Sequence, residues 1–166
     1  GIEPIESINL VVENPNLENL SIGEIPGRRE TGVVISPIRR HEATVVQTAT
    51  EQTVLHRGDL ILAVGTRKNL EKFLVIVGRK SDVNLTKSPG RVVSRRIIVT
   101  RKEVLGNTID ELGLDDHYGV TVTRVTRADI EMTALPELRL QFGDMLQVVG
   151  EEQVMARVAD ELGNCV

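Results

Sequence analysis

The chain has 166 residues, a formal net charge of -4, 40% hydrophobic residues and only 2% aromatic residues. The length allows one or two domains, and the hydrophobic content is that of an ordinary globular protein. The lack of Trp and the scarcity of other aromatic residues exclude a platform that stacks single-stranded nucleic acid, and the net negative charge argues against nucleic acid as a partner.

Two further features limit the setting of the chain. Cys165 is the single cysteine, so no disulfide can form within the chain, which fits a reducing compartment. No run of residues approaches the roughly 20 apolar residues that a membrane-spanning helix needs, and no signal peptide is visible. The abrupt ends of the sequence favour a piece of a larger protein.

The first half of the chain predicts a small unit of strands and helices. After a lead-in over residues 1–6, the apolar runs predict strands over residues 8–12, 32–38, 43–49 and 60–64, with a short helix or turn-rich segment over 17–25. The following helix has its apolar face at Leu70, Phe73, Leu74 and Val77. Pro37 predicts an edge or a bulge in the second strand. Gly78, like Gly163 in the second half, stands where a left-handed residue ends a helix.

The second half predicts the same order of elements. Residues 79–91 are polar, have no periodicity and contain Pro89-Gly90, which predicts a linker. Strands are predicted over residues 96–100, 119–125, 130–134 and 145–149, a short helix over 108–114 and a last helix from Val154 to Gly163. Thr108 and Glu111 have the spacing of a capping box at the start of the short helix.

Two stretches of the sequence are copies of each other. Residues 57–78 (RGDLILAVGTRKNLEKFLVIVG) and 142–163 (FGDMLQVVGEEQVMARVADELG) each contain Gly-Asp, a short apolar strand, a single glycine and an amphipathic helix that ends in glycine. The offset is 85 residues here, as from Gly58 to Gly143, but 87 in the earlier part, as from Leu10 to Ile97. We interpret the pattern as an internal duplication in which the first copy has two additional residues in its middle hairpins.

The duplication predicts the fold class. Each copy has the order β-α-β-β-β-α, and its local hairpins predict a mainly antiparallel sheet with helices on one face, an α+β fold. We assign the first domain to residues 1–80, the linker to residues 81–91 and the second domain to residues 92–166. Each unit is small for a single core, so we expect the two units to gain stability by packing on each other.

No constellation of residues predicts catalysis. His41, His56 and His117 are scattered and lack the spacing of a zinc site, and no serine stands in a nucleophile motif. The single glycines Gly65 and Gly150 precede helices, but one glycine is not a phosphate-binding loop. We therefore predict no enzymatic activity, no metal and no cofactor.

One string of the second copy identifies a family. The residues from Val104 to Gly150 (VLGNTIDELGLDDHYGVTVTRVTRADIEMTALPELRLQFGDMLQVVG) resemble the C-terminal subdomain of potassium-conductance regulators, called RCK_C or TrkA-C. The first copy is similar through its opening INLVVENPNLENLSI. Two such modules in tandem, with this opening and LQFGD in the second, resemble the central cytoplasmic region of membrane transporters of the aspartate:alanine exchanger type, in which the tandem lies between two sets of transmembrane helices.

The resemblance implies a function. It implies a non-catalytic, ligand-sensing regulatory region on the cytoplasmic side of a bacterial inner membrane. The implied partners are the protein's own transmembrane helices, a small anionic effector and further copies of the full-length transporter in a homo-oligomer. The alternative is a constitutive oligomerisation scaffold with no small-molecule ligand.

Basic residues near the hairpins form the candidate ligand site. Related modules bind small anionic effectors, including a cyclic dinucleotide, in a cleft between paired modules, and the planar fork of arginine suits phosphate and carboxylate groups. Arg28 and Arg29 belong to this basic cluster as well. The residues that we expect to converge on an effector are Arg39, Arg40, His41, Arg124 and Arg127. The alternative is that these are hairpin-tip charges that serve solubility.

Overall fold

The computed structural model describes residues 3–166, so the first two residues of the predicted lead-in and first domain lie outside the described residues. The strands of the first module are β1 (Ile5–Val12), β2 (Val34–Arg39), β3 (Leu60–Thr66) and β4 (Gly78–Lys80). The strands of the second module are β5 (Val92–Val99), β6 (Thr121–Arg127), β7 (Ile130–Thr133), β8 (Met145–Glu151) and β9 (Gly163–Cys165). β1 and β5 begin three and four residues earlier than the sequence predicted.

Each module consists of one antiparallel sheet with helices. The first sheet has the order β2-β3-β1-β4 and the second has the order β7-β6-β8-β5-β9. The helices are α1 (Arg28–Thr31), α2 (Arg67–Val77), α3 (Ile109–Leu112), α4 (Leu114–Tyr118) and α5 (Met155–Leu162), and 3-10 turns cover Pro15–Leu17, Ile22–Glu24, Leu85–Lys87, Lys102–Val104 and Glu152–Val154. The predicted α+β class with two copies of one fold is confirmed.

The internal duplication appears directly in the strand register. Leu10 of β1 lies opposite Ile61 of β3, and Ile97 of β5 lies opposite Leu146 of β8. The first members of these pairs are 87 residues apart and the second members are 85 apart, as the sequence predicted. All four side chains are fully buried, so equivalent cross-strand pairs lie at the centre of each core.

Each sheet has its own apolar core under its long helix. In the first module, Phe73 and Val77 of α2 pack with Leu10 and Ile61. In the second module, the equivalent face of α5 packs on Ile97 and Leu146 through Met155, Val158 and Leu162. Because the helices cover one face of each sheet, the other faces remain for contacts between the modules and with the chain that joins them.

The predicted strand over residues 43–49 is wrong. Only an isolated bridge between Ile38 and Gln47 remains of it, whereas the second module pairs β6 with β7 through a two-residue turn. In that turn both Ala128 and Asp129 have positive φ, as a tight hairpin with the correct twist requires. The two additional residues of the first module fall between Glu42 and Gln47, and the longer connection releases the segment from the sheet.

The second strand is irregular, as Pro37 predicted. β2 lies at the edge of its sheet, and its register with β3 shifts between Ile35 and Ile38. Proline cannot donate a ladder hydrogen bond, so an edge position with a bulge accommodates it.

The glycines that follow the long helices have a different role from the one predicted. Gly78 and Gly163 do not adopt the left-handed helical conformation; they begin the short strands β4 and β9. A Cβ atom on Gly78 would lie 2.6 Å from the carbonyl oxygen of Val11, and one on Gly163 would lie 2.1 Å from that of Ile98. These positions require glycine because two backbones approach closely.

The segment between the sheets packs on the first module. Leu85, within the predicted linker, is buried beside Val11, Leu60 and Leu62 on the sheet face opposite α2. Its backbone N–H donates to Asn9 Oδ1 at 3.0 Å. The polar, aperiodic sequence of this segment predicted a linker but not that one buried leucine attaches it to the first module. The domain limits given above remain predictions.

Candidate functional site

The Gly-Asp turn of each copy holds a buried aspartate that forms an ion pair with a partly exposed arginine. Asp59 is 1% exposed, and its Oδ2 accepts from Arg40 Nη1 at 2.6 Å and from the backbone N–H of His56 at 2.8 Å. Arg40 also donates to the carbonyl oxygen of Val54 at 2.7 Å. A buried carboxylate must be paired and hydrogen-bonded to be tolerated. Arg40, just after β2, supplies the charge, and the backbone N–H of His56 at the turn supplies the second hydrogen bond.

The second module repeats this arrangement. Arg127 donates from Nε and Nη2 to the two carboxylate oxygens of Asp144, both at 2.8 Å, and from Nη2 to the carbonyl oxygen of Arg139 at 2.9 Å. The backbone N–H of Gln141 donates to Asp144 Oδ2 at 2.8 Å. The hydrogen bond to Asp144 raises the pKa of Arg127. Arg40 and Arg127, two of the predicted ligand residues, therefore serve the fold.

The structure divides the predicted ligand residues between two places. Arg39, Arg40 and His41 line one cavity of about 560 Å³ on the first module. Arg124 lies on β6 and donates to Glu131 of the neighbouring β7 at 2.9 Å, and Arg127 belongs to the Asp144 pair. Neither Arg124 nor Arg127 lines that cavity, so the five residues do not share it.

A second cavity lies at the junction of the two modules. This junction cleft has a volume of about 420 Å³ and is lined by equivalent segments of both copies. The equivalent lining positions include Ile22 with Ile109, Ile35 with Val122, and Thr50 with Leu135. The paired segments give the cleft an approximate twofold character.

Direct contacts hold the modules together beside the cleft. Thr121 Oγ1 at the start of β6 donates to the carbonyl oxygen of Ala49 in the first module at 2.7 Å. Leu135 of the second module packs on Gly32, where a Cβ atom would lie 2.6 Å from Leu135 Cδ2. Gly32 also has a φ of 66°, which favours glycine. One glycine thus permits both the end of α1 and the approach of the other module.

Charges of opposite sign face each other across the cleft. Arg28 is only 6% exposed and pairs with Glu51 at 2.5 Å, while its Nε is buried and has no hydrogen-bond partner among the described residues. Burial lowers the pKa of Arg28, and the charge of Glu51 opposes this effect. The exposed Arg29 lines the same side. The opposite side carries the carboxylates Asp110, Asp115 and Glu137.

The cleft was only partly visible in the sequence. The sequence shows Arg28 and Arg29 as basic residues, but it does not distinguish them from the hairpin arginines as lining a cleft. The signal that was missed is a reversal of charge between the copies, because the offset of 87 places Arg28 and Arg29 opposite Asp115 and Asp116 in the repeat. Two complementary surfaces at equivalent positions indicate an interface between the copies.

Between residues 3 and 166, no group of three or more His, Cys, Asp or Glu side chains is arranged to hold a metal ion. Over the same described range, no helix is long and apolar enough to cross a membrane.

The duplicated sheets and helices, with the cleft at their junction, define a tandem pair of small α+β domains. Comparison with known families then identifies them. The family model of the TrkA-C domain matches residues 9–86 and again residues 93–163. The chain belongs to the TrkA-C domain family and contains two copies of that domain, as the resemblance implied.

Relatives of nearly the whole chain are named as transport proteins. The chain is 39% identical over 163 residues to "Putative transport protein PM1071" of Pasteurella multocida, and 36% identical over 162 residues to a "Putative transport protein" of Yersinia pseudotuberculosis. Each match covers 98% of this chain but 29% of the relative. The chain therefore spans less than a third of the length of the curated relatives that it matches.

Solved structures of low sequence identity are also similar. One is the RCK C domain of the potassium transport protein KtrA in complex with cyclic diadenosine monophosphate, with a TM-score of 0.38 and 19% identity, covering 43% of this chain and 81% of that chain. Another is the GsuK RCK domain, with a TM-score of 0.43 and 12% identity, covering 95% of this chain and 64% of that chain.

Proposed function

We propose that the chain is a non-catalytic, ligand-sensing regulatory region of a bacterial membrane transporter of the aspartate:alanine exchanger type. The two TrkA-C domains and the names of the relatives support a regulatory role in a transport protein. The single observation that carries ligand sensing is the junction cleft, because both modules line it. Its volume of about 420 Å³ is within the range of small-molecule sites.

The charges of the cleft suit a zwitterionic ligand. The guanidinium of Arg29 and the unpartnered Nε of Arg28 suit a carboxylate, and the carboxylates of Asp115 and Glu137 suit an ammonium group. An amino acid carries both groups. Because the acidic residues that line the cleft outnumber the basic ones, a purely anionic ligand fits this cleft less well than a zwitterion.

Regulation follows from the position of the cleft between two packed modules. A ligand that contacts both modules favours the arrangement in which its partners are correctly spaced, and it shifts the equilibrium only by its differential affinity for the two arrangements. In the full-length transporter, this shift passes through the chain ends to the transmembrane helices, with the modules on the cytoplasmic side of the inner membrane and the transporter as a homo-oligomer.

A constitutive scaffold is the second candidate function. The observation that favours it is that the modules already contact each other without a ligand, through Thr121 and Ala49 and through Leu135 and Gly32. The charge of Arg28 is also compensated within the chain by Glu51. In this case the cleft is a packing gap between two modules that never separate.

A thermal-unfolding screen tests the ligand-sensing function. The panel contains the common amino acids, cyclic diadenosine monophosphate and NAD. A ligand that binds only the native state raises the unfolding midpoint. At a ligand concentration of 100 times Kd, it adds about 2.7 kcal/mol to the free energy of unfolding. We expect amino acids to raise the unfolding midpoint. Arg29→Gln and Asp115→Asn should each weaken the affinity for the amino acid about tenfold or more.

Two variants outside the cleft serve as controls for the removal of a charge. Asp116 is next to Asp115 but does not line the cleft, so Asp116→Asn is the control for Asp115→Asn. Arg95→Gln removes an arginine of the second sheet and is the control for Arg29→Gln. Both should bind as the unchanged chain does. If no compound raises the midpoint and the chain has the same oligomeric size with and without the panel, the scaffold is the correct function.

A further inference from the structure

The cavity on the first module lies apart from the junction cleft. This first-module cavity has a volume of about 560 Å³. Its basic lining residues are Arg39, Arg40, His41, Arg57 and Arg79. Apolar side chains of Val11, Leu60 and Val83 also line it, and its carboxylates are those of Glu13 and Glu42. The cavity therefore combines an excess of positive charge with an apolar surface.

Two of the arginines take part in no ion pair with the residues that the structure describes. Arg40 belongs to the Asp59 pair, and Arg79 Nε donates to Glu13 at 3.1 Å. Among residues 3–166, the side chains of Arg39 and Arg57 make no ion pair within 4.0 Å, and Arg39 Nε is buried without a hydrogen-bond partner. A buried guanidinium donor without a partner is costly, so an anion that accepts from it would relieve the cost.

The second module shows that the fold does not require these basic residues. The ion pair of the Gly-Asp turn is present in both copies, but the other basic residues of the cavity have no basic equivalent in the second copy. At the positions of Arg39, His41, Arg57 and Arg79, the second copy has Thr126, Ala128, Phe142 and Asn164. The same turn and strands form with these uncharged residues, so this arrangement of turn and strands does not require basic residues at these positions.

One glycine shapes the wall of the cavity. Gly58 has a φ of 93°, and a Cβ atom on it would lie 2.7 Å from Cγ and Nδ1 of His41. The imidazole ring therefore lies directly on the Gly58 backbone. Its equivalent Gly143 has nearly the same φ, 89°, but no atom within 4 Å of the corresponding Cβ position. The close packing of His41 is thus specific to the first module.

We propose that the first-module cavity is a binding site for a small organic anion. Arg39 and Arg57 hold its carboxylate or phosphate group, and Val11 and Leu60 contact its hydrocarbon part. The planar fork of arginine suits either oxyanion. The site is separate from the junction cleft, so it does not depend on the regulatory function proposed above.

Titration of the ¹⁵N-labelled chain with butyl phosphate and with glutarate tests this site, and the two probes distinguish phosphate from carboxylate. We expect saturable shifts of the amide signals of His41 and Gly58 with at least one probe. Arg39→Gln and Arg57→Gln should each weaken binding about tenfold or more. Arg96→Gln, which removes an exposed arginine of the second sheet, is the matched control and should leave binding unchanged.

A second pair of variants separates the wall of the cavity from backbone strain. Gly58→Ala and Gly143→Ala impose similar strain at positive φ, but only the first displaces His41. We expect Gly58→Ala alone to weaken binding of the probe. The proposal is overturned if neither probe gives saturable shifts, or if Arg96→Gln weakens binding as much as Arg57→Gln does.

Discussion

Val120 packs directly on the backbone of Gly150, so that a Cβ atom at Gly150 would lie 2.3 Å from Val120 Cγ1. The equivalent pair in the first module is looser, with 3.2 Å between a Cβ atom at Gly65 and Val33 Cγ2. These are the single glycines that precede the long helices. Their role is to admit a valine side chain against the strand, which explains why each stands alone rather than in a phosphate-binding loop.

The two glycines therefore predict unequal effects of one substitution. Gly150→Ala should destabilise the second module by about 1–3 kcal/mol, the usual cost of overpacking, whereas Gly65→Ala should cost less because its neighbour needs to move only slightly. Denaturant titration of both variants measures the difference. Equal losses at the two sites would show that the valine contact does not determine the choice of glycine.

The ion pairs of the Gly-Asp turns should be important for stability. Asp144→Ala removes the acceptor of two of the three Arg127 hydrogen bonds and of the Gln141 N–H, and we expect a loss of about 3 kcal/mol. Asp116→Ala, an exposed aspartate of α4, is the control and should change stability by less than about 0.5 kcal/mol. Similar unfolding free energies for the two variants would contradict this account of the turn.

Helix α2 offers a test of its buried face. Phe73 is fully buried in the first core, whereas Val75 on the same helix is 83% exposed. Phe73→Ala should cost about 3–5 kcal/mol, a large share of the roughly 5–15 kcal/mol that a domain possesses. Val75→Ala should be close to neutral. A loss below about 1 kcal/mol for Phe73→Ala in denaturant titration would show that α2 is not packed as described.

A capping box gives the second module a defined response to acid. The backbone N–H of Thr108 donates to Glu111 Oε1 at 2.9 Å, and this hydrogen bond is the main cause that lowers the pKa of Glu111. A carboxyl whose pKa is lower in the folded state stabilises the fold above its unfolded pKa. That stabilisation is lost as the pH falls through the folded pKa.

Glu111→Gln separates the cap from its charge, because glutamine can also accept in a capping box. The variant should keep the cap near neutral pH and lose less stability than the unchanged chain on acidification. Thermal unfolding over an acidic pH series measures this, with Glu103→Gln as a control for removal of an exposed carboxylate. Identical pH profiles for Glu111→Gln and the unchanged chain would exclude the cap as an acid-sensitive contact.

Local patterns were sufficient to predict most of the elements but not the assembly of the modules. The repeat predicted that Leu10 and Ile97 are equivalent, because the two copies can be compared directly in the sequence. The spacing of Thr108 and Glu111 predicted the cap, because a cap depends only on nearby residues. Residues 43–49 contain the Val and Thr residues that favour a strand, yet two additional residues in the hairpin prevent their pairing. The residue pattern of this segment could not predict the loss of pairing, since strand pairing depends on the geometry of the turn.

The candidate sites were harder to predict for a related reason. The basic character of Arg39, Arg40 and His41 was evident from the sequence. The buried Asp59 that pairs with Arg40, however, lies 19 residues further along the chain. The junction cleft depends on how two separately folded cores pack against each other. A short basic pattern such as Arg28-Arg29 does not by itself indicate this packing. It becomes informative only when the two copies are compared and the acidic residues at the equivalent positions are seen.

The most direct test of ligand sensing is an amide chemical-shift map of the ¹⁵N-labelled chain with the amino acid that raises the unfolding midpoint most. We expect saturable shifts on both sides of the junction cleft, at Gly32 and Thr50 of the first module and at Thr121 and Ala134 of the second. Their titration curves should give one common Kd. Shifts confined to one module, or no saturable shift at any of these residues, would contradict a ligand that binds between the modules.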